Sequence, residues 1–453
     1  MFENREDYIK IVEKVEQRLQ DSLGSSFDFN VWFILRIQLS YQLHLSYAKG
    51  KLVNLSHASN HYFKYLTFKQ TLKKIKELVF LIPKLLKYQF FTSFSKKQII
   101  LAGYKAHNNE SVDNDNNKYL SPFVFEYQDE KPLLYYFDSL EKQNVSFNYL
   151  KLLIKWYTLL YQLRITKNSK KKLLDYGGKI NSVLEKEIHN SFEDLDYFLA
   201  DKIIQYLAYK ASYKKWLCKL KPTKIISYCF YDNKVNALYN AANLLDIKTN
   251  EYQHSAISER HFAYSKWNNI DAIQNHFPSS FMVWNENDEE LIAKNFKGIK
   301  YGPKVDVVGV LHLKVPPIIK SNENKSILIC LQGIWMPKWM ENYIQKDTSY
   351  NWYIRLHPRY PNDKEKLAIL EGLRKPNIFL KEANMLLLNE LLQKSKVLIT
   401  NFSGAALEAH VMGVAVIIYG KEGRESYKSY IDNKTFRFTD NTNEFEKALQ
   451  KLI

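Results

Sequence analysis

From residue 224 to the C-terminus, short apolar runs and stretches of helical periodicity take turns, and no other feature narrows the fold as far. Runs bounded by turn residues at 225–230, 249–253, 281–284 and 305–308 predict strands, with helices at 234–245 and 289–295 among them. The second half repeats the rhythm, with strands at 326–331, 352–356, 377–380, 397–400 and 414–418 and a last helix at 443–452. Strands that alternate with helices make a parallel sheet covered on both faces. Two such series, separated by a stretch at 311–324 that carries Pro316 and Pro317, predict two doubly wound domains. Each opens its ligand crevice at the carboxyl ends of its strands.

The 453 residues exceed what one hydrophobic core usually serves, so two domains plus an extension are expected. Residues 1–94 read as a helical basic extension, 95–312 as the first Rossmann-like domain and 313–453 as the second. Within the first, 98–103 reads as a short buried strand, 108–118 as an exposed loop rich in Asn and Asp, and 147–219 as helical with a basic break at 168–172. Cys218, Cys229 and Cys330 stand at unrelated spacings, which fits neither a zinc pattern nor a disulfide framework and points to a reducing compartment. The charged start MFENREDYIK lacks the apolar core of a secretion signal, and Arg36, Gln38, Gln42 and His44 interrupt the apolar stretch at 29–47. Neither export nor a membrane span is expected. The expected location is cytoplasmic, with peripheral attachment at the inner face of the plasma membrane left open.

The formal charge of +17 is spread over a chain rich in Lys, Asn and Tyr and is not by itself a specific signal. Its densest expression lies at 62–97, where Lys64, Lys69, Lys73, Lys74, Lys76, Lys84 and Lys87 surround Leu78, Val79, Phe80, Leu81, Ile82, Leu85 and Leu86. Glu77 is the lone acid in that run. Pro83 is expected to divide it into two helices. Two readings stand: a basic amphipathic segment on an anionic membrane surface, or a helix packed on the protein with a solvated basic face. No nucleic-acid-binding module accompanies the charge, so nucleic acid is not an expected partner.

Polar residues just beyond the strands are the candidate chemistry. Asp232, after the strand at 225–230, is the best single carboxylate for a general base or nucleophile; its bland reading is a loop cap. Glu251, Gln253, His254, Ser255 and His261 crowd the loop after the next strand, where acid–base work is expected and zinc is not. Arg355, His357 and Arg359 alternate at a strand end that Pro358 terminates, which concentrates positive charge where a phosphate would lie. Asn401, Ser403 and Gly404 form a strand-to-helix turn whose N–H groups would hold a phosphate, with Glu408 placed to accept from ribose hydroxyls. The bland reading there is an ordinary helix cap with Glu408 on the surface.

Tyr231-Asp-Asn, Ala241-Ala242, Glu251-Tyr-Gln-His254 and His261-Phe-Ala-Tyr264 together resemble bacterial capsule and surface-polysaccharide glycosyltransferases of the GT-B fold. Ser255 stands where those often carry glycine. Arg355-Leu-His-Pro358 and Asn401-Phe-Ser-Gly404 are similar to the His-Pro and Ser-rich motifs of GT-B sialyltransferases, polysialyltransferases and Kdo transferases. The resemblance spans 224–420 and implies an α/β, GT-B fold: two facing Rossmann-like doubly wound domains with a helical N-terminal extension. It implies transfer of a CMP-activated ulosonic or nonulosonic acid, such as sialic acid or Kdo, to an oligosaccharide or lipid-linked glycan acceptor. Carried over, Arg355, His357, Pro358, Asn401, Ser403 and Gly404 would hold the donor phosphate and Glu408 the ribose. Asp232, Glu251 and His254 would do the chemistry, with Gln253, His261 and Tyr264 on the acceptor side and neither metal nor cofactor required.

Three alternatives stay open. A CDP-polyol phosphotransferase of teichoic-acid type would share the His-Pro and Asn-Phe-Ser-Gly elements. A UDP- or dTDP-hexose transferase would keep the fold and change the donor. A membrane-associated scaffold with a decayed GT-B fold would keep neither donor nor turnover.

Overall fold

The computed structural model describes residues 5–19, 31–48, 67–105, 117–139, 145–164, 167–192, 195–259, 261–265, 267, 270–297, 299, 302–313, 325–332, 335–356, 368, 370, 371 and 375–453. The chain divides into two compact units. The first comprises Met1–Gln253, Phe262–Val283 and Ile292–Val307; the second comprises His254–His261, Trp284–Leu291 and Val308–Ile453. The second unit therefore begins a few residues before the expected boundary at 312/313. It also takes in two segments that directly follow first-unit strands. The linker expected at 311–324 lies outside the described residues from 314 onward.

Among the described residues, twelve strands form two six-stranded sheets, parallel at every pairing. The first contains β1 (Ile99–Gly103), β2 (Leu133–Tyr136), β3 (Lys224–Ser227), β4 (Lys248–Tyr252), β5 (Ser280–Val283) and β6 (Lys304–Val307), in the order β2-β1-β3-β4-β5-β6. The second contains β7 (Ser326–Cys330), β8 (Asn351–Arg355), β9 (Ile378–Phe379), β10 (Val397–Thr400), β11 (Ala415–Tyr419) and β12 (Arg437–Thr439). Its order is β12-β11-β10-β7-β8-β9. Counted from its own first strand this is 3-2-1-4-5-6, the dinucleotide-binding Rossmann order. Its direction of winding reverses between β7 and β10, and that of the first sheet between β1 and β3. At such a reversal two helices diverge from adjacent strands and leave a crevice. β7 and β10 are buried along their whole length, as strands covered on both faces must be. The α/β class and both Rossmann-like domains of the GT-B expectation are present.

The N-terminal helices are built into the first unit. Arg36, in the helix Val31–Ala48, is wholly buried: it pairs with Glu16 at 3.0 Å, donates to the Phe262 carbonyl at 2.7 Å and lies 4.0 Å over the Trp267 ring. Burial pushes its pKa down to about 10, so it stays charged at neutral pH and the Glu16 pairing holds it there. Beside it, Phe33 stacks on Trp267 and on His276. The His276 ring meets the Asn236 Oδ1 at 2.8 Å and the Tyr206 hydroxyl at 3.2 Å. Burial, with the Lys210 charge adding to it, pushes the imidazole down from 6.5 to about 3. The unfolded chain therefore binds a proton that the folded chain refuses. Stability from this site is full above pH 6.5 and is lost as the pH falls toward 3. Denaturant unfolding at pH 7 and pH 5 should show the first part of this loss, about 2 kcal/mol, and His276→Gln should flatten it.

Three expectations need correction, and the first is the basic break at 168–172, which lies inside the helix Lys167–Ile188. Pro83 does not divide its segment: Phe68–Phe90 is one helix, opened by a capping box between Thr67 and Gln70. Pro83 lies on the exposed side, where water can replace the one hydrogen bond that proline removes. The polar stretch at 108–118 is not uniformly exposed either. Asn117 is buried, donating to the Tyr104 carbonyl at 2.8 Å and the Tyr228 hydroxyl at 3.2 Å. Residues 108–116 lie outside the described residues.

Candidate functional site

In the second unit the strand ends converge on one turn. β10 ends at Thr400, whose hydroxyl donates to the Cys330 carbonyl at 2.8 Å and ties β10 to the end of β7. Beyond it Asn401 is buried, its amide reaching the Glu422 carboxylate at 3.5 Å. The Ser403 Oγ accepts from the Ala405 N–H at 3.3 Å, and the Ser403 carbonyl accepts from the buried Tyr427 hydroxyl. Gly404 begins the helix Ala405–Val411 in an ordinary helical conformation. A Cβ at Gly404 would lie 3.6 Å from Ser255 Cα and Ala256 N, an ordinary contact. The space beside this glycine is thus filled by the 254–261 loop, and the structure brings the His254 segment and the Ser403–Gly404 turn together.

Glu408 is not on the surface. It stands in the first turn of that helix, 4% exposed, with Oε1 3.8 Å from the Nε2 of His312, whose side chain is buried. The Trp284 ring lies 5.6 Å from that of His312. The Glu408 charge reaches two further groups: it helps raise Tyr427, whose shift is mainly burial, and Cys330, which burial pushes up to about 12. A carboxylate that acts on the end of β7 from the helix after β10 sits at the reversal of the sheet. His312 and Trp284 were not singled out from the sequence. Each stands alone at the end of an apolar run, with no spacing to mark it.

The first unit has its own cluster at the β1/β3 reversal. The Tyr104 N–H donates to the Tyr228 hydroxyl at 2.7 Å, and Asn117 joins both. Asp232 caps the helix Asn233–Asn243, accepting from the Lys234 N–H at 2.9 Å, so the capping reading describes its geometry. It also lies against Tyr104: burial first, then the Asp232 carboxylate, pushes that phenol far above its usual range. Asp232 is partly exposed. Glu251 is 1% exposed and points inward, both oxygens accepting the Phe230 N–H at 3.1 Å, with the Tyr239 and Tyr264 hydroxyls at 3.5 Å. Burial pushes its carboxyl well above the usual range. Its hydrogen bonds hold the turn after β3, in which Cys229 adopts a φ of 63°, and β3 accordingly ends at Ser227. Glu251 and Tyr264 thus shape the turn that carries Asp232.

The remaining sequence candidates are dispersed. Gln253 is buried, its N–H donating to the Met282 carbonyl at 3.0 Å; His261 is half-buried, its N–H donating to the Ser258 carbonyl at 2.9 Å. Arg355 donates to the carbonyls of Ala383 (2.9 Å) and Leu386, at the end of the helix Leu380–Met385, where unsatisfied carbonyls draw a cation. His357 and Pro358 lie outside the described residues. Among the described residues no three His, Cys, Asp or Glu side chains gather as a metal site.

No protein-family model matches this chain, and no curated protein matches it. Solved structures are similar to it over most of both chains. A UDP-GlcNAc 2-epimerase from Neisseria meningitidis, bound to UDP-GlcNAc, is 14% identical, with 78% of this chain and 90% of that one covered and a TM-score of 0.45. MurG from Acinetobacter baumannii is 10% identical, with 79% and 89% covered and a TM-score of 0.40. The glycosyltransferase SnogD from Streptomyces nogalater is 11% identical, with 79% and 91% covered and a TM-score of 0.38. At likenesses this distant, the assignment of the fold rests on the strand orders given above.

Proposed function

We propose that this protein is a metal-independent glycosyltransferase that uses a nucleotide-activated sugar, with the nucleotide held in the second unit. The observation that carries the reading is Glu408: a buried carboxylate beside His312, at the reversal of a sheet in Rossmann order, on the helix that follows the Ser403–Gly404 turn. A carboxylate there is suited to accept hydrogen bonds from ribose hydroxyls. The N–H groups at the turn and the Ser403 hydroxyl would face the phosphate.

In the transfer itself, the bond from the anomeric carbon to the donor phosphate oxygen breaks. A bond to the acceptor oxygen forms, and the acceptor proton passes to a carboxylate base. Asp232, on the turn after β3, is the proposed base. The acceptor in this reading is a glycan hydroxyl.

For the donor we take a UDP-hexose ahead of the CMP-linked ulosonic acid that the motif resemblance implies. His357 and Pro358, on which the CMP reading leans, lie outside the described residues, and Arg355 is engaged with a helix end. UDP-GlcNAc is the ligand named for the Neisseria epimerase and UDP for another similar structure, MnaA from S. aureus, which makes uridine the first nucleotide to try. A thermal-shift panel of UDP, GDP, dTDP, CDP and CMP tests the reading. UDP should raise the unfolding temperature, by the equivalent of about 2.7 kcal/mol at a hundredfold excess over its dissociation constant. A shift with CMP alone would restore the ulosonic-acid donor. No shift with any nucleotide would refute the proposal.

A further inference from the structure

The helix Phe68–Phe90 has two apolar faces, and among the described residues only one of them is packed. Leu78 and Leu81 pack against Leu159 of the helix Val145–Arg164, with Leu85, Leu152 and Trp156 around them. Lys74 lies on the same side, donating to Gln162 at 2.6 Å. On another face Phe68, Leu72, Ile75, Val79, Ile82, Leu86 and Phe90 recur at alternating spacings of four and three residues, ending on a four, and are 40–80% exposed. Such spacing aligns them in one stripe along the whole helix. At about 100° per residue, Lys69, Lys76 and Lys87 fall in a row roughly a quarter-turn from the stripe, with Lys73 and Lys84 just behind them. The row lies on the flank away from the packed face. Apolar side chains this large, contiguous and exposed over some six turns are unusual on a protein surface without a partner.

We infer that this stripe docks on an anionic lipid bilayer, with the helix lying in the interface, the stripe in the acyl region and the lysine row at the headgroups. Charge selects this occupant. Glu77 is the only acid in the helix and lies on neither the stripe nor the lysine row, so a second copy of the helix has no acidic row to offer the lysines. Anionic headgroups supply that complement along the whole length. No described helix is long and apolar enough to cross a membrane, so the attachment is peripheral through this element. Docking in this way is independent of the nucleotide chemistry proposed above.

Flotation of the full chain with vesicles tests it. The protein should float with phosphatidylcholine vesicles that contain phosphatidylglycerol, float much less with phosphatidylcholine alone, and be released by high salt. The triple variant Lys69→Gln, Lys76→Gln, Lys87→Gln should weaken binding by about fivefold per lysine, about a hundredfold in all. The variant Leu72→Gln, Val79→Gln, Leu86→Gln, which changes exposed positions only, should lose flotation while keeping the wild-type unfolding temperature. Equal binding to neutral vesicles, no binding to anionic ones, or binding untouched by both variants would overturn the inference. So would a wild-type dimer that the apolar variant turns into a monomer without any vesicle binding, which would make the stripe a contact between copies.

Discussion

Glu408→Ala is expected to weaken nucleotide binding by about a hundredfold, the loss of two hydrogen bonds to a charged group at roughly 1.5 kcal/mol each. The carboxylate is 4% exposed and sits where the sheet reverses, so no surface group can take its place. Glu408→Gln separates the two parts of its role. The amide keeps the volume and an acceptor oxygen beside His312 but loses the charge, and should recover only part of the affinity. His312→Phe, which keeps an aromatic ring near Trp284, should fall between wild type and Glu408→Ala, because it removes only the neighbour that orients the carboxylate. If Glu408 served packing alone, all three variants would lower the unfolding temperature and leave nucleotide affinity unchanged.

Gly423→Ala should destabilise the second unit by about 3 kcal/mol, the upper end for a forced overpacking, or roughly 6–12 °C in unfolding temperature. A Cβ at this position would run into the Asn401 carbonyl and approach Asn401 Oδ1 and Ile418 Cγ2 at 2.7 Å. One of these contacts is backbone, which cannot rotate away as the tip of a flexible side chain could. The strain falls on the turn between β10 and Ser403, so nucleotide affinity should drop together with stability. Gly404→Ala is the control on the other side of the turn: a Cβ there meets the 254–261 loop at an ordinary 3.6 Å, and little change in unfolding temperature is expected.

The alternation of strand and helix after residue 224 was enough to read β3 to β11, because central parallel strands are buried on both faces and show as unbroken apolar runs such as β7 and β10. β1 was read from its own apolar run at 98–103. The strands missed at that level are β2 and β12, which stand at sheet edges. β2 follows directly on a polar, charged stretch, and β12 is three residues long and begins with Arg437. Ser403, Gly404 and Glu408 were legible for the same reason as β10: the turn sits where a recognisable strand gives way to a helix. His312, Trp284, Tyr104 and Asn117 were not, since their placement comes from tertiary packing that no local spacing encodes. Arg36 shows the limit from the other side. It reads as an interruption of an apolar stretch, whereas in the fold it is the buried centre of contacts with Glu16, Phe262 and Trp267.

The most direct test is a calorimetric titration of UDP into the full chain and into Glu408→Ala under the same conditions. Saturable one-to-one binding by the wild-type protein, weakened about a hundredfold in the variant, is the expected result. Equal affinity in the two proteins, or no binding of UDP or any other nucleotide by a folded wild-type chain, would contradict the assignment of this turn as the nucleotide site.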